Sequence, residues 1–169
     1  MRDLPRLLRE YARLERARTS TGLSPRDLSR WEALKQQLDS HFSPGMKPDA
    51  QNRRASVRVP TRIKARFESL GKLQDSIMTN LSQGGVFINT AYPLEIGENV
   101  TIRIDVDEDG STLEIPGRVV TTRVGSGFAT QKMGMGIAFS DMEPDLRQKV
   151  DELYERALER QARRSDEAS

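Results

Sequence analysis

Basic side chains concentrate in one short stretch of this chain, and their chemistry is that of phosphate binding. Residues 51–70 carry six of them against a single acidic residue, Glu68. The basic residues are Arg53, Arg54, Arg58, Arg62, Lys64 and Arg66. Because the net charge of the whole chain is only +2, this excess is local. A concentrated positive patch of this kind indicates a partner that carries phosphate groups.

A second polar motif follows the arginines. Arg54 and Arg58 form an Arg-x-x-x-Arg pair, a spacing that also occurs on the exposed faces of the predicted helices. Residues 80–85 read Asn-Leu-Ser-Gln-Gly-Gly, which is the one match in the sequence to the pattern [Asp/Asn]-x-Ser-x-x-Gly. Taken alone, this motif indicates an ordinary β-turn, since Asn, Ser and Gly are common turn residues. Its position between two predicted strand segments and after the arginine pair favours a binding site instead.

The arginine pair and the turn motif together resemble the signature of PilZ domains, which bind cyclic di-GMP (c-di-GMP). The resemblance extends over about residues 51–160 and includes the glycine-rich strand 134–139 and the last helix. It does not cover residues 1–42. It implies a mainly β fold, a small antiparallel six-stranded β-barrel with a C-terminal helix. The α-helical hairpin expected before the barrel is predicted from the spacing of apolar residues instead.

The resemblance also implies which residues contact c-di-GMP. They are Arg53, Arg54, Arg58, Asn80, Ser82, Gly84 and Gly85, with Arg62 and Gly136 as further candidates. Arginine suits this ligand because its planar guanidinium pairs with phosphate oxygens and with the O6/N7 edge of guanine. Asn80 can hydrogen-bond a guanine edge, and Gly85 allows close approach of the backbone. In similar domains an arginine at position 53 favours an intercalated pair of ligand molecules. We expect the arginines to lie on a flexible stretch that closes over the ligand.

Composition argues against catalysis and against metal chemistry. The chain has no cysteine and a single histidine, His41, which rules out thiolate nucleophiles and disfavours a His-based triad or metal site. The acidic run Asp105–Asp109 is out of register with a calcium-binding loop and is interpreted as a solvated turn. We therefore predict a protein that is not an enzyme and has no metal or cofactor.

The sequence predicts a soluble, cytoplasmic protein without a membrane-inserted segment. No run of about 18 apolar residues occurs. The first residues alternate charged and apolar side chains and lack the apolar core of a signal peptide.

Residues 1–43 are predicted to form a helical hairpin. Leu4, Leu8, Tyr11 and Leu14 recur at helical spacing, and a Ser24-Pro25 start signal predicts a second helix that ends near residue 42. Two helices bury too little surface to be stable alone, so the hairpin must pack on the rest of the chain or on a second copy. The length of the apolar stripes favours a homo-oligomer formed through residues 1–42.

The remaining domain boundaries are predicted from changes in the spacing of apolar residues. Residues 44–50 have the composition of a linker. Apolar residues then alternate, most clearly over Val100–Val106, which predicts short antiparallel strands without intervening helices. A third helix begins near Pro144. The predicted organisation is a hairpin at 1–43, a linker at 44–50, a barrel with its closing helix at 51–160, and a disordered tail at 161–169.

Two main functions fit the sequence. The first is a c-di-GMP receptor that passes the level of this second messenger to a protein partner through a conformational change. The alternative is an interaction scaffold of PilZ architecture that signals through its hairpin with weak or no nucleotide binding. Nucleic-acid binding is disfavoured, because Trp31, Leu34 and Leu38 make the second helix resemble a buried helix rather than a recognition helix.

Overall fold

The structure is a computed structural model that describes residues 3–45, 47, 49, 54–106, 111–123 and 133–168. Arg53 and residues 107–109 of the predicted acidic turn lie outside the described residues. The elements are α1 (Leu4–Ser20), α2 (Pro25–Phe42), β1 (Val59–Ser69), β2 (Lys72–Leu81), β3 (Gly85–Asn89), β4 (Asn99–Asp105), β5 (Thr112–Arg123), β6 (Gly134–Phe139) and α3 (Pro144–Glu167). The predicted fold class is confirmed: a closed six-stranded antiparallel barrel, two N-terminal helices and a C-terminal helix.

The chain divides into two compact units whose limits differ from the predicted boundaries. The helical unit consists of Met1–Pro60 and Tyr154–Ser169, and the barrel unit consists of Thr61–Leu153. Helix α3 is continuous, yet its first part belongs to the barrel unit and its second part to the helical unit. The sequence pattern could not separate these parts, because one apolar stripe runs along the entire helix.

In the helical unit, α1 and α2 form the predicted hairpin. The predicted start of α2 is confirmed, since Ser24 Oγ accepts a hydrogen bond from the Asp27 N–H at 3.2 Å and Pro25 follows it. The apolar stripe of α1 is buried within the chain. In α2, Trp31, Leu34 and Leu38 are buried as expected, whereas Leu28 is 42% exposed. The stripe is thus covered without a second copy, and self-association through residues 1–42 stays a prediction.

Helix α3 continues beyond the point where a disordered tail was predicted. It remains helical to Glu167, whereas the tail was expected to begin at residue 161. Ala162 is fully buried, and Asp166 accepts a hydrogen bond from Arg9 of α1 at 2.8 Å. These contacts with residues far away in the sequence explain the difference, since the segment has a charged, solvated composition that by itself favours fraying.

In the barrel unit, the strand order is β1-β2-β3-β6-β5-β4, closed by pairing of β4 with β1. Burial alternates most regularly in β4, where Val100, Ile102 and Ile104 are buried and the other residues are exposed. Among the strand pairs whose register the structure describes, the register shifts at two places, as at β-bulges. One lies between Met78 and Asn80 in β2, and the other lies between Val119 and Thr121 in β5.

Candidate ligand-binding site

The two motif arginines lie in the helical unit just before β1. Arg54 is half-buried, and its Nη1 donates a hydrogen bond to Ser43 Oγ, at the end of α2, at 3.1 Å. Arg58 is exposed. Burial lowers the pKa of the Arg54 guanidinium, the positive charge of Arg58 lowers it further, and the carboxylate of Asp39 acts in the opposite direction. The two guanidinium groups are therefore close enough to repel each other.

The backbone between these arginines is held by two tyrosines. The Val57 N–H donates a hydrogen bond to the Tyr11 hydroxyl of α1 at 3.0 Å, and the Tyr154 hydroxyl of α3 donates to the Val57 carbonyl. Burial raises the pKa of both tyrosines well above the ordinary value, so both hydroxyls are neutral at physiological pH. The arginines were expected on a flexible stretch, but the structure places a fully buried, hydrogen-bonded residue between them.

The Asn80–Gly85 motif lies in the barrel unit, where it forms the turn between β2 and β3. The Ser82 N–H and the Ser82 hydroxyl both donate to the Gly85 carbonyl, at 2.9 and 3.2 Å. The Phe139 N–H of β6 donates to the Gly84 carbonyl at 2.9 Å. The turn is thus fixed by its own serine and by a neighbouring strand, and it presents the half-buried Asn80 side chain at the end of β2.

The glycines of the predicted site have different surroundings. A Cβ atom at Gly85 would lie 2.4 Å from the carbonyl oxygen of Ile137, so glycine is required for the pairing of β3 with β6. A Cβ atom at Gly84 would meet nothing within 4 Å. At Gly136 it would lie 2.4 Å from Thr121 Oγ1. Packing in the barrel therefore explains Gly85 and Gly136, whereas Gly84 has no such constraint.

Two features that support the turn were missed from the sequence. Arg147 of α3 donates through Nη2 to the Gln83 carbonyl at 2.7 Å and also hydrogen-bonds Asp151. The bulge at Thr79 directly precedes Asn80, and bulges redirect the side chains that follow them. The sequence contains no local signal for either feature, because both depend on pairing with distant residues.

The structure groups the predicted site residues within each unit. Arg54 and Arg58 lie together in the helical unit, while residues 80–85 form one turn in the barrel unit. Strand pairing places Asn80 opposite Phe87, and Phe87 opposite Gly136, in one row across β2, β3 and β6. Arg62 is exposed on β1 in the barrel unit.

A cleft in the barrel unit lies away from the Asn80–Gly85 turn. It has a volume of about 630 Å³ and contains none of the predicted ligand-binding residues. Its lining includes Glu68, Leu70, Leu73, Leu94, Glu98 and Arg103. Among the described residues, no group of His, Asp and Glu side chains could hold a metal ion. No helix formed by the described residues is both long and apolar enough to cross a bilayer.

Comparison with known families decides the assignment, because the PilZ domain family matches residues 52–156, which is more than half of the chain. The chain belongs to the PilZ domain family. The matched range contains both the arginine pair and the Asn80–Gly85 motif, so the resemblance noted in the sequence is confirmed.

Solved structures show the same PilZ fold. The PilZ domain with c-di-GMP of YcgR from Escherichia coli is 16% identical, with a TM-score of 0.54 over 69% of this chain and 99% of that chain. YcgR from Escherichia coli in complex with c-di-GMP is 17% identical, with a TM-score of 0.54 over 69% of this chain and 51% of that chain. No curated protein matches. At these identities the likeness establishes the PilZ fold alone.

Proposed function

We propose that this PilZ protein is a c-di-GMP receptor. The observation that carries the proposal is the placement of Arg54 and Arg58 on either side of the buried Val57, inside the range that matches the PilZ family. Two nearby cations of this kind are stabilised by an anion, and c-di-GMP carries two phosphodiester charges. The family assignment and the c-di-GMP complexes of the YcgR structures support the same ligand.

The proposed contacts divide by chemistry. Arg54 and Arg58 bind phosphate oxygens and a guanine edge, with Arg53 and Arg62 supplying further positive charge. The Asn80 amide and the Ser82 hydroxyl hydrogen-bond guanine. Gly84 and Gly136 are further contact positions, and Gly85 keeps the turn in the geometry that the barrel requires.

The proposed output is a conformational change read by a protein partner in the cytoplasm. The module binds its ligand and performs no chemistry of its own. Since Arg54 is bonded to Ser43 at the end of α2, a ligand that contacts Arg54 acts directly on a contact of the hairpin. A ligand shifts such an equilibrium only by its difference in affinity for the two states. The scaffold function, with weak or no nucleotide binding, remains the competing proposal.

Isothermal titration of the full chain with c-di-GMP tests the receptor function. We expect saturable binding with a micromolar or lower Kd in the wild type and its loss in the Arg54→Ala, Arg58→Ala double variant. A matched control is Arg156→Ala with Arg160→Ala, which removes two exposed arginines at the same spacing from α3 and lowers the net charge equally. The control should bind as the wild type does. Titration with cyclic di-AMP tests the specificity for guanine.

The outcomes are distinct. Equal weakening in both double variants would mean that net charge alone attracts the ligand, and the proposed arginine site would be wrong. Absence of heat and of thermal stabilisation in the wild type would favour the scaffold function. The molar ratio in a successful titration shows whether one ligand molecule or an intercalated pair is bound, which is the role expected of Arg53.

A further inference from the structure

The most unusual feature of the helical unit is the environment of the Val57 backbone. Val57 lies between the two motif arginines and two residues before β1, so it does not take part in the strand pairing. Its side chain is fully buried. Both of its backbone polar groups are nevertheless satisfied, each by a tyrosine hydroxyl from a different helix. Buried side-chain hydroxyls here take the place of a sheet partner.

Tyr11 of α1 and Tyr154 of α3 have surroundings that fix the positions of their hydroxyls. Both rings are fully buried, and the two hydroxyl oxygens lie 3.5 Å apart. The Tyr11 ring stacks against Trp31 of α2, with ring centroids 6.3 Å apart. Each ring has little freedom to rotate, and the hydroxyls therefore hold Val57 at a defined point between the helices.

We propose that Tyr11 and Tyr154 are positioning residues for the ligand, which act by fixing the backbone that carries Arg54 and Arg58. The two arginines leave the backbone within three residues on either side of Val57, so a shift of Val57 moves both guanidinium groups together. The proposal rests on the c-di-GMP receptor function. It adds that the hydrogen bonds of the two tyrosine hydroxyls to Val57 influence the affinity for c-di-GMP. It assigns an influence on ligand affinity to two residues outside the Arg-x-x-x-Arg and Asn80–Gly85 motifs.

The two tyrosines also connect the arginine segment to the hairpin. Glu15 is a buried carboxylate of α1, one helical turn after Tyr11, and it accepts hydrogen bonds from the Trp31 indole and from Arg18. Tyr11, Glu15 and Trp31 thus form one polar and aromatic cluster that links α1 to α2. Coupling between two processes is reciprocal, so ligand binding at the arginines must in turn stabilise the packing of this cluster.

Tyr11→Phe and Tyr154→Phe test the proposal, because each removes one hydroxyl and keeps the ring. We expect the Kd for c-di-GMP to rise roughly tenfold in each variant, as loss of one buried hydrogen bond lets the segment move. Tyr92→Phe is the matched chemical control, since Tyr92 is 66% exposed in the barrel unit. It should bind as the wild type does.

A second control separates positioning from general stability. Leu34 is fully buried in α2, and Leu34→Val lowers the stability of the helical unit without removing a bond to Val57. Thermal unfolding gives the midpoint of each variant, and titrations are run at a temperature where all of them are folded. We expect the tyrosine variants to lose affinity and Leu34→Val to keep it.

These measurements distinguish the receptor function of the protein from the positioning role of Tyr11 and Tyr154. No c-di-GMP binding in the wild type would overturn the receptor function itself. Wild-type binding with unchanged affinity in both tyrosine variants would leave the receptor function standing and overturn the positioning role. Equal losses of affinity in Leu34→Val and in the tyrosine variants, at equal thermal midpoints, would also overturn it, because the effect would then follow stability alone.

Discussion

Replacement of Gly85 by alanine is expected to weaken the barrel strongly. The new Cβ atom would lie 2.4 Å from the Ile137 carbonyl oxygen and 3.3 Å from its carbon. Both are backbone atoms of β6, so no side-chain rotation can relieve the contact, and β3 must move away from its partner strand. Inserting a methyl group into a packed interior costs about 1–3 kcal/mol. Because only backbone atoms can move to relieve this contact, we expect the free energy of unfolding to fall by about 3 kcal/mol.

The preceding residue provides a matched control. A Cβ atom at Gly84 would meet nothing within 4 Å, and the backbone there does not have a left-handed φ. Gly84→Ala should therefore be neutral or stabilise the fold by about 0.4–1 kcal/mol, because alanine restricts the unfolded chain. The free energies of unfolding of the two alanine variants are thus expected to differ by about 3–4 kcal/mol.

Amide hydrogen exchange of β3 and β6 in the full chain measures the free energy of opening of this strand pair. We expect exchange to accelerate in Gly85→Ala and to stay the same or slow down in Gly84→Ala. If Gly85→Ala protected these amides as well as Gly84→Ala does, the packing argument for Gly85 would be refuted. The motif glycine would then be explained by ligand contact alone.

Three further predictions concern charge and pH. Arg147→Met should raise the Kd for c-di-GMP about fivefold, because the Gln83 carbonyl loses its charged donor and the turn loosens; unchanged affinity in calorimetry would contradict this. Asp39→Asn removes a negative charge that acts on Arg54, so c-di-GMP should bind a few times more tightly. The melting temperature of this variant should fall, because the buried Lys35 loses its charged partner. Burial raises the pKa of Tyr11 and Tyr154, so the stability they supply is present below about pH 10 and lost as pH rises above it. Urea unfolding between pH 8 and 11 should show this loss, and the loss should be smaller in their phenylalanine variants.

The features predicted correctly from the sequence are those encoded by neighbouring residues. The start of α2 depends on a serine, a proline and an N–H three residues away, all within one turn. The strand β4 alternates in the sequence as it alternates in burial. The signature of the PilZ family is also local, as two motifs of five and six residues. Signals of this kind can be identified from the sequence alone, because they involve only residues that are close together in the chain.

The features that were missed depend on distant residues. Tyr11 is 46 residues from Val57, and Tyr154 is 97 residues from it, so no spacing rule connects them. The bulge before Asn80 arises from pairing with β3 and has no sequence mark of its own. In each case tertiary contacts override the local pattern.

The division of the helical unit into two stretches of sequence has a consequence for synthesis on the ribosome. Met1–Pro60 is made first, but Tyr154–Ser169 follows only after the whole barrel unit has been translated. At ordinary translation rates that interval is on the order of ten seconds. During this interval α1 lacks its contacts with α3, which include those of Asp166 with Arg9 and of Tyr154 with Tyr11. The barrel is thus the first unit that can complete its fold, and the arginine segment reaches its final geometry only when the last helix arrives.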